Sequence, residues 1–170
     1  MNVSGARYLR SAVVALLAAL LLAACGSAPP QQRSITLTLI RHAESEANAA
    51  DVLATTVPGP PLTALGQEQA ATGAGRLKGD GFDGVFASQM VRTQQTAAPL
   101  AKALGEQVAV LPGLNEVSAG WFEGLPVSDT SGTFLLGPEG WLKGDRRFGI
   151  PGSVNGNQFN GAFTSAVQAI

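Results

Sequence analysis

Between Ser34 and Leu111 the chain alternates strand and helix patterns three times, which limits its fold more than any other feature. Ser34–Ile40 sets Ile35, Leu37 and Leu39 on one face and Thr36 and Thr38 on the other, the period of a strand. Glu46–Val52 reads as a first short helix, and the prolines and glycine of Val57–Pro61 as a loop. Thr63 is a helix N-cap, and the spacing predicts a helix to about Lys78 with Leu65, Ala70 and Leu77 as core contacts. Phe82–Ala87 predicts a second strand. Met90–Leu104 predicts a helix containing Pro99 and closed by Gly105, and Gln107–Leu111 a third strand. Strands separated by helices pair in parallel, so the expected class is α/β with a parallel sheet. Past Pro112 the pattern weakens, with frequent Gly and Ser from Ser118 to Gly161. Asn157–Ile170 then predicts a last helix carrying Phe159, Phe163, Val167 and Ile170.

The N-terminus reads as an address. Arg7 and Arg10 precede an uncharged apolar run, Ser11–Ala24, too short for a spanning helix of roughly 20 apolar residues. Leu22-Ala23-Ala24-Cys25 resembles the bacterial lipobox. That resemblance implies a signal peptide over residues 1–24 and a lipid-modified Cys25 that begins the mature chain. Residues 25–33 would be a tether kept extended by Pro29-Pro30, and residues 34–170 one domain. The expected location is the cell envelope, outside the cytoplasm, with the membrane engaged through acyl chains on Cys25.

A net charge of -1 argues against nucleic acid as a partner. One cysteine excludes an intramolecular disulfide and a cysteine-built zinc site, and one histidine excludes a multi-histidine metal centre. That histidine carries the chemistry. Ligands of α/β sheets bind beyond the carboxyl ends of strands, where Arg41 and His42 stand. A neighbouring cation disfavours the imidazolium and keeps a nitrogen lone pair available. The same guanidinium matches phosphate oxygens two at a time. A nucleophile beside an anion clamp points to phosphoryl transfer through a phosphohistidine.

Four segments, in order, resemble the histidine phosphatase superfamily in its phosphoglycerate mutase-like branch. They are Leu39-Ile40-Arg41-His42-Ala43-Glu44-Ser45 with Asn48 six places after the histidine, and Pro61-Leu62-Thr63-Ala64-Leu65-Gly66 with Gln69-Ala70. Ala87-Ser88 with Arg92-Thr93 and Gln95-Thr96 follows, then Leu114-Asn115-Glu116 with Gly120-Trp121-Phe122-Glu123-Gly124. Ala43 stands where the family usually has Gly. The resemblance implies a three-layer α/β/α fold with a mostly parallel sheet. It implies that His42 accepts the phosphoryl group, that Arg41 and Arg92 clamp its oxygens, and that Glu116 protonates the leaving oxygen. Ser45 and Asn48 would hydrogen-bond the phosphate or orient His42, or else simply cap the helix that follows. Trp121 and Trp141 read as core or lid residues. No metal or cofactor is expected, because arginines supply the positive charge. The substrate would be a phosphorylated small molecule or phosphoester, and export favours a phosphatase over a mutase.

The family also carries a second histidine late in the chain, as Ser-His-Gly at the end of another strand, and this sequence has none. The expectation is therefore a domain lacking the family's C-terminal part, with its activity weakened or lost. Two alternatives follow: a non-catalytic lipoprotein that binds a phosphorylated ligand or serves as an interaction surface, or an inactive fragment.

Overall fold

The computed structural model describes residues 34–170. The signal peptide, the lipobox cysteine and the tether expected over residues 1–33 lie outside the described residues. Ile40–Ile170 form one compact unit. Residues 34–39 carry no regular structure and are exposed, Leu39 by 80%. The strand expected over Ser34–Ile40 is thus not formed. Alternation marks a backbone suited to a strand, but ladder hydrogen bonds come only from a neighbouring strand, and nothing in this stretch pairs with one.

The first helix, α1, is a single turn, Glu46–Ala49, closed by a reciprocal capping box between Ser45 and Asn48. It stops short of Val52 because Asp51 adopts a positive φ of 56°, which a helix does not continue. The next helix, α2 (Ala64–Leu77), begins where the Thr63 side chain accepts from the Gly66 N–H. Its buried face is Gly66, Ala70 and Ala74, whereas Leu65 is 51% exposed and not the core contact expected. Small residues let α2 lie close to its neighbours. A Cβ on Gly66 would overlap the Glu44 carbonyl oxygen, so glycine permits the approach of α2 to the segment bearing His42.

Strand β1 (Val85–Ala87) leads into α3 (Val91–Leu104), which ends at Gly105 with φ 76°, and strand β2 (Val108–Val110) follows. Pro99 lies inside α3 without ending it. The β1 and β2 strands pair in parallel, Val85 to Val108 and Ala87 to Val110, so α3 is the crossover of a β–α–β unit. The expected α/β class is the one observed, with a two-stranded sheet among the described residues. Ala74 of α2, Val85 of β1 and Leu100 and Ala101 of α3 form the buried core, with Leu77, Phe82, Ala97, Leu104 and Val108 packed around it.

The weakly patterned stretch beyond β2 forms single 3-10 turns at Pro112–Leu114 and Gly120–Phe122, then short helices α4 (Val127–Phe134) and α5 (Leu136–Leu142). The last helix, α6 (Gly156–Gln168), is capped by Asn155 and stacks Phe159 on Trp141 and on Phe163, with ring centroids 5.4 and 6.4 Å apart. Trp121, expected in a core or lid, is 78% exposed. Glycine at 152 lets the chain pass against its indole. No helix among the described residues is long and apolar enough to cross a membrane.

Candidate active site

The loop carrying His42 is held by neighbours far away in sequence. The Ala43 N–H donates to Thr96 Oγ1 (3.0 Å), and the Glu44 N–H to Gln69 Oε1 (2.9 Å). The Thr63 N–H donates to the Glu44 carbonyl at 3.1 Å, and its hydroxyl to the Glu44 carboxylate at 2.7 Å. Helices α2 and α3 therefore fix the loop from two sides. Thr63, Gln69 and Thr96 belong to the segments that carry the family resemblance, which by itself gives them no such task. Their presence in the recurring segments is the signal that they have some task.

The His42 ring is half-buried and bonded on both nitrogens. The carbonyl of Ala43 can only accept, so Nδ1, 2.7 Å away, carries the proton. The Arg92 Nε–H can only donate, so Nε2, at 3.1 Å, presents its lone pair. These two bonds choose the tautomer. Burial lowers the His42 pKa, and the Arg92 and Arg41 charges lower it further. The Ala43 bond and the Glu116 carboxylate oppose them without reversing the direction. The imidazole is neutral at neutral pH, with Nε2 as the free base.

Arg92, on the first turn of α3, is 5% exposed. Its Nη1 donates to the Ala54 carbonyl at 3.0 Å. Burial lowers its pKa, while Glu116 and Glu123 act in the opposite sense. Among the described residues the one ion pair is Lys143 with Glu139, so neither Arg41 nor Arg92 is neutralised by a carboxylate at contact distance.

Arg41, His42, Ser45, Asn48, Arg92 and Glu116 all line one cavity of about 250 Å³, with Thr55 and an apolar side that includes Leu53, Val127 and Phe134. The structure thus brings all six expected site residues together. Two of them have further duties. The Ser45 hydroxyl donates to Asn48 Oδ1 at 2.9 Å and accepts from the Asn48 N–H at 3.3 Å, and the Ser45 N–H also reaches Oδ1 at 3.0 Å. Both cap α1, and with its oxygen engaged Asn48 has its Nδ2 donors left to offer the cavity. Glu116 is exposed and accepts from the N–H of Val117 at 3.0 Å. A second cavity, of about 300 Å³ and mostly apolar, lies between α2 and α3 beside Val85. It also touches Arg41 and His42 but offers an anion no further cation. Among the described residues no three His, Cys, Asp or Glu side chains cluster to hold a metal ion.

An α/β unit that sets a fixed imidazole and two unneutralised guanidiniums on the wall of one cavity can receive a tetrahedral oxyanion. A sequence model of the histidine phosphatase superfamily (branch 1) matches residues 37–170, and the chain belongs to that superfamily. It is 51% identical over 147 residues to "PE-PGRS family protein PE_PGRS11" of Mycobacterium tuberculosis, covering 81% of this chain and 25% of that one. It is 37% identical over 89 residues to "Probable phosphoglycerate mutase GpmB" of Yersinia enterocolitica, covering 52% of this chain and 41% of the relative. The chain thus spans less than half the length of these curated relatives. Among solved structures, the alpha-ribazole phosphatase from Shigella flexneri matches with a TM-score of 0.58 and 28% identity, over 76% of this chain and 65% of that one. A mycobacterial glucosyl-3-phosphoglycerate phosphatase shares the fold, with a TM-score of 0.60 at 20% identity over 75% of this chain and 59% of that one.

The lowered His42 pKa sets a pH dependence. Should His42 act as a nucleophile, it must be unprotonated, and kcat/KM for an aryl phosphate is then expected to fall on the acid side, with a midpoint below the ordinary imidazole value of 6.5. The same shift adds stability that is fully present above 6.5 and is lost as pH falls from there through the folded-state pKa, because the unfolded chain takes up the proton first. Rate profiles and thermal unfolding between about pH 4.5 and 8 read both limbs. An acid midpoint above 6.5 would contradict the assignment.

Proposed function

We propose that this chain hydrolyses phosphomonoesters through a phosphohistidine on Nε2 of His42. The observation that carries this reading is the pair of hydrogen bonds that leaves Nε2 as a lone pair facing the Arg92 guanidinium. Nε2 attacks phosphorus, the ester P–O bond breaks, and the Glu116 carboxyl gives its proton to the departing oxygen. Water then attacks the phosphohistidine, Glu116 recovers a proton from it, and inorganic phosphate leaves with His42 restored. Arg41 and Arg92 offset the charge on the equatorial oxygens throughout, Arg92 moving its donors from the imidazole to the phosphate. Asn48 Nδ2 adds a donor. The test is to quench the protein during turnover of p-nitrophenyl phosphate and look for acid-labile phosphate on His42 by mass spectrometry. Phosphate that binds but never becomes covalent would mark a binding protein instead.

We further propose that the protein is exported and works at the membrane surface, outside the cytoplasm. Support comes from Arg7 and Arg10, the apolar run and Leu22-Ala23-Ala24-Cys25, with residues 34–170 as the tethered domain. In a bacterial host, Cys25→Ser is expected to abolish palmitate labelling and move most of the protein out of the membrane fraction. Unchanged labelling would rule out Cys25 as the anchor.

A further inference from the structure

We infer that Glu123 is a positioning residue for the His42 nucleophile, acting through the Ala54–Thr55 peptide and Arg92. The inference takes the proposed phosphohistidine chemistry as its setting. Glu123 follows the Gly120–Phe122 turn and does not line the catalytic cavity. Its carboxylate gathers three donors from one short segment. The Thr55 N–H lies 2.8 and 3.0 Å from its two oxygens, the Thr55 hydroxyl 2.5 Å from Oε2, and the Thr56 N–H 2.9 Å from Oε1. Burial pushes the Glu123 carboxyl up, but the bonds from Thr55 and Thr56 outweigh burial and hold it below the ordinary carboxylate range.

The Thr55 N–H and the Ala54 carbonyl belong to the same peptide group. A trans peptide is planar, with N–H and C=O pointing in opposite directions. Fixing the N–H on Glu123 therefore aims the Ala54 carbonyl the other way, where it accepts from Arg92 Nη1 at 3.0 Å. A charged acceptor on the N–H also polarises the peptide and strengthens its carbonyl as an acceptor. With Nη1 fixed, the planar guanidinium directs its Nε–H to His42 Nε2 at 3.1 Å. The path runs from carboxylate through peptide and guanidinium to the imidazole lone pair, each step with one polarity.

The two segments do not depend on Glu123 alone to stay together. Leu53 N–H to the Leu125 carbonyl, Gly124 N–H to the Leu53 carbonyl and Val127 N–H to the Asp51 carbonyl span them at 2.8–2.9 Å. The Asp51 carboxylate also accepts from the Ser128 hydroxyl at 2.7 Å. Glu123 can therefore be altered with the backbone pairing kept, and Ser128→Ala serves as a comparator that loosens the same pairing without touching the path.

The experiment uses the chain's single histidine, whose ¹⁵N resonances need no assignment. The wild-type spectrum is expected to show Nδ1 protonated and Nε2 bare. In Glu123→Gln the amide cannot accept all three donors, and the spectrum is expected to move towards mixed tautomers. The acid limb of the rate profile is expected to move up, and kcat for p-nitrophenyl phosphate to fall roughly 10-fold, with a smaller change in KM. Ser128→Ala should move none of these. Should Glu123→Gln not fold, Glu123→Asp keeps the charge on a shorter arm and is expected to give an intermediate ¹⁵N shift. An unchanged His42 spectrum in a folded Glu123 variant overturns the inference, as does an equal change in Ser128→Ala. The spectrum needs no turnover, so an inactive protein whose tautomer still follows Glu123 would remove the proposed reaction and keep the path.

Discussion

His42→Ala is expected to leave no acid-labile phosphate on the protein and to lower turnover by roughly 10⁴–10⁶-fold, the scale seen when a nucleophile is deleted. The chain has one histidine, so no second imidazole can take over. The loss should be chemical and not structural. The loop is held by backbone bonds from Ala43 and Glu44 to Thr96 and Gln69, which the substitution does not touch. Arg92 keeps its bond to the Ala54 carbonyl, so the cationic cavity persists and inorganic phosphate should still bind. The measurements are initial rates with p-nitrophenyl phosphate and phosphate binding by calorimetry on the same sample. Residual turnover above a tenth of wild type would exclude His42 as the nucleophile.

Arg92→Ala is expected to cost about 10²–10³ in kcat/KM, judged from removal of a single donor to transition-state charge. Part of the loss is lost attraction for the phosphate, and part is His42 itself. Without the Nε–H the imidazole loses the bond that leaves Nε2 bare, and one of the two cations that lower its pKa. The acid limb should therefore rise towards 6.5 as the rate falls. Arg92→Lys restores the charge but not the planar fork that serves Ala54 and His42 together, so its recovery should be partial. Equal activity of the Lys variant and wild type would show that charge alone suffices. The Ala variant will also lose stability, because it leaves the half-buried Ala54 carbonyl without its donor and a void where the buried guanidinium lay. Activities should be compared below its unfolding transition.

The site illustrates why Ser45 and Asn48 were open to two readings. A side chain three residues from its partner serves a cap as readily as a ligand, and the capping box engages both here. Asn48 keeps donors for the cavity, whereas the Ser45 hydroxyl is occupied twice and the residue is 1% exposed. Glu116 lines the cavity. Glu123 stands in the segment Gly120-Trp121-Phe122-Glu123-Gly124, and its bonds go to a peptide group and not to the cavity, a role that residue types alone do not reveal.

What the sequence determined by itself is local. Thr63 starts α2, Gly105 ends α3 and Asn155 opens α6 because capping depends on side chains and dihedrals within a few residues. The Arg-His pair and the segments after it sufficed for the superfamily, since recurring residue types at set spacings survive without coordinates. The tertiary structure decided whatever needs a distant partner. The alternation over Ser34–Ile40 marks a backbone suited to a strand, but only a neighbour supplies the ladder. Leu65 and Ala70 both suit an amphipathic helix, yet the close approach of α2 to the Glu44 loop buries the smaller side chain. The His42 tautomer rests on a donor 50 residues away, and the peptide that holds that donor rests on a carboxylate 68 residues from Thr55. A hydrogen bond has direction, and the direction of these bonds exists only once the chain has folded.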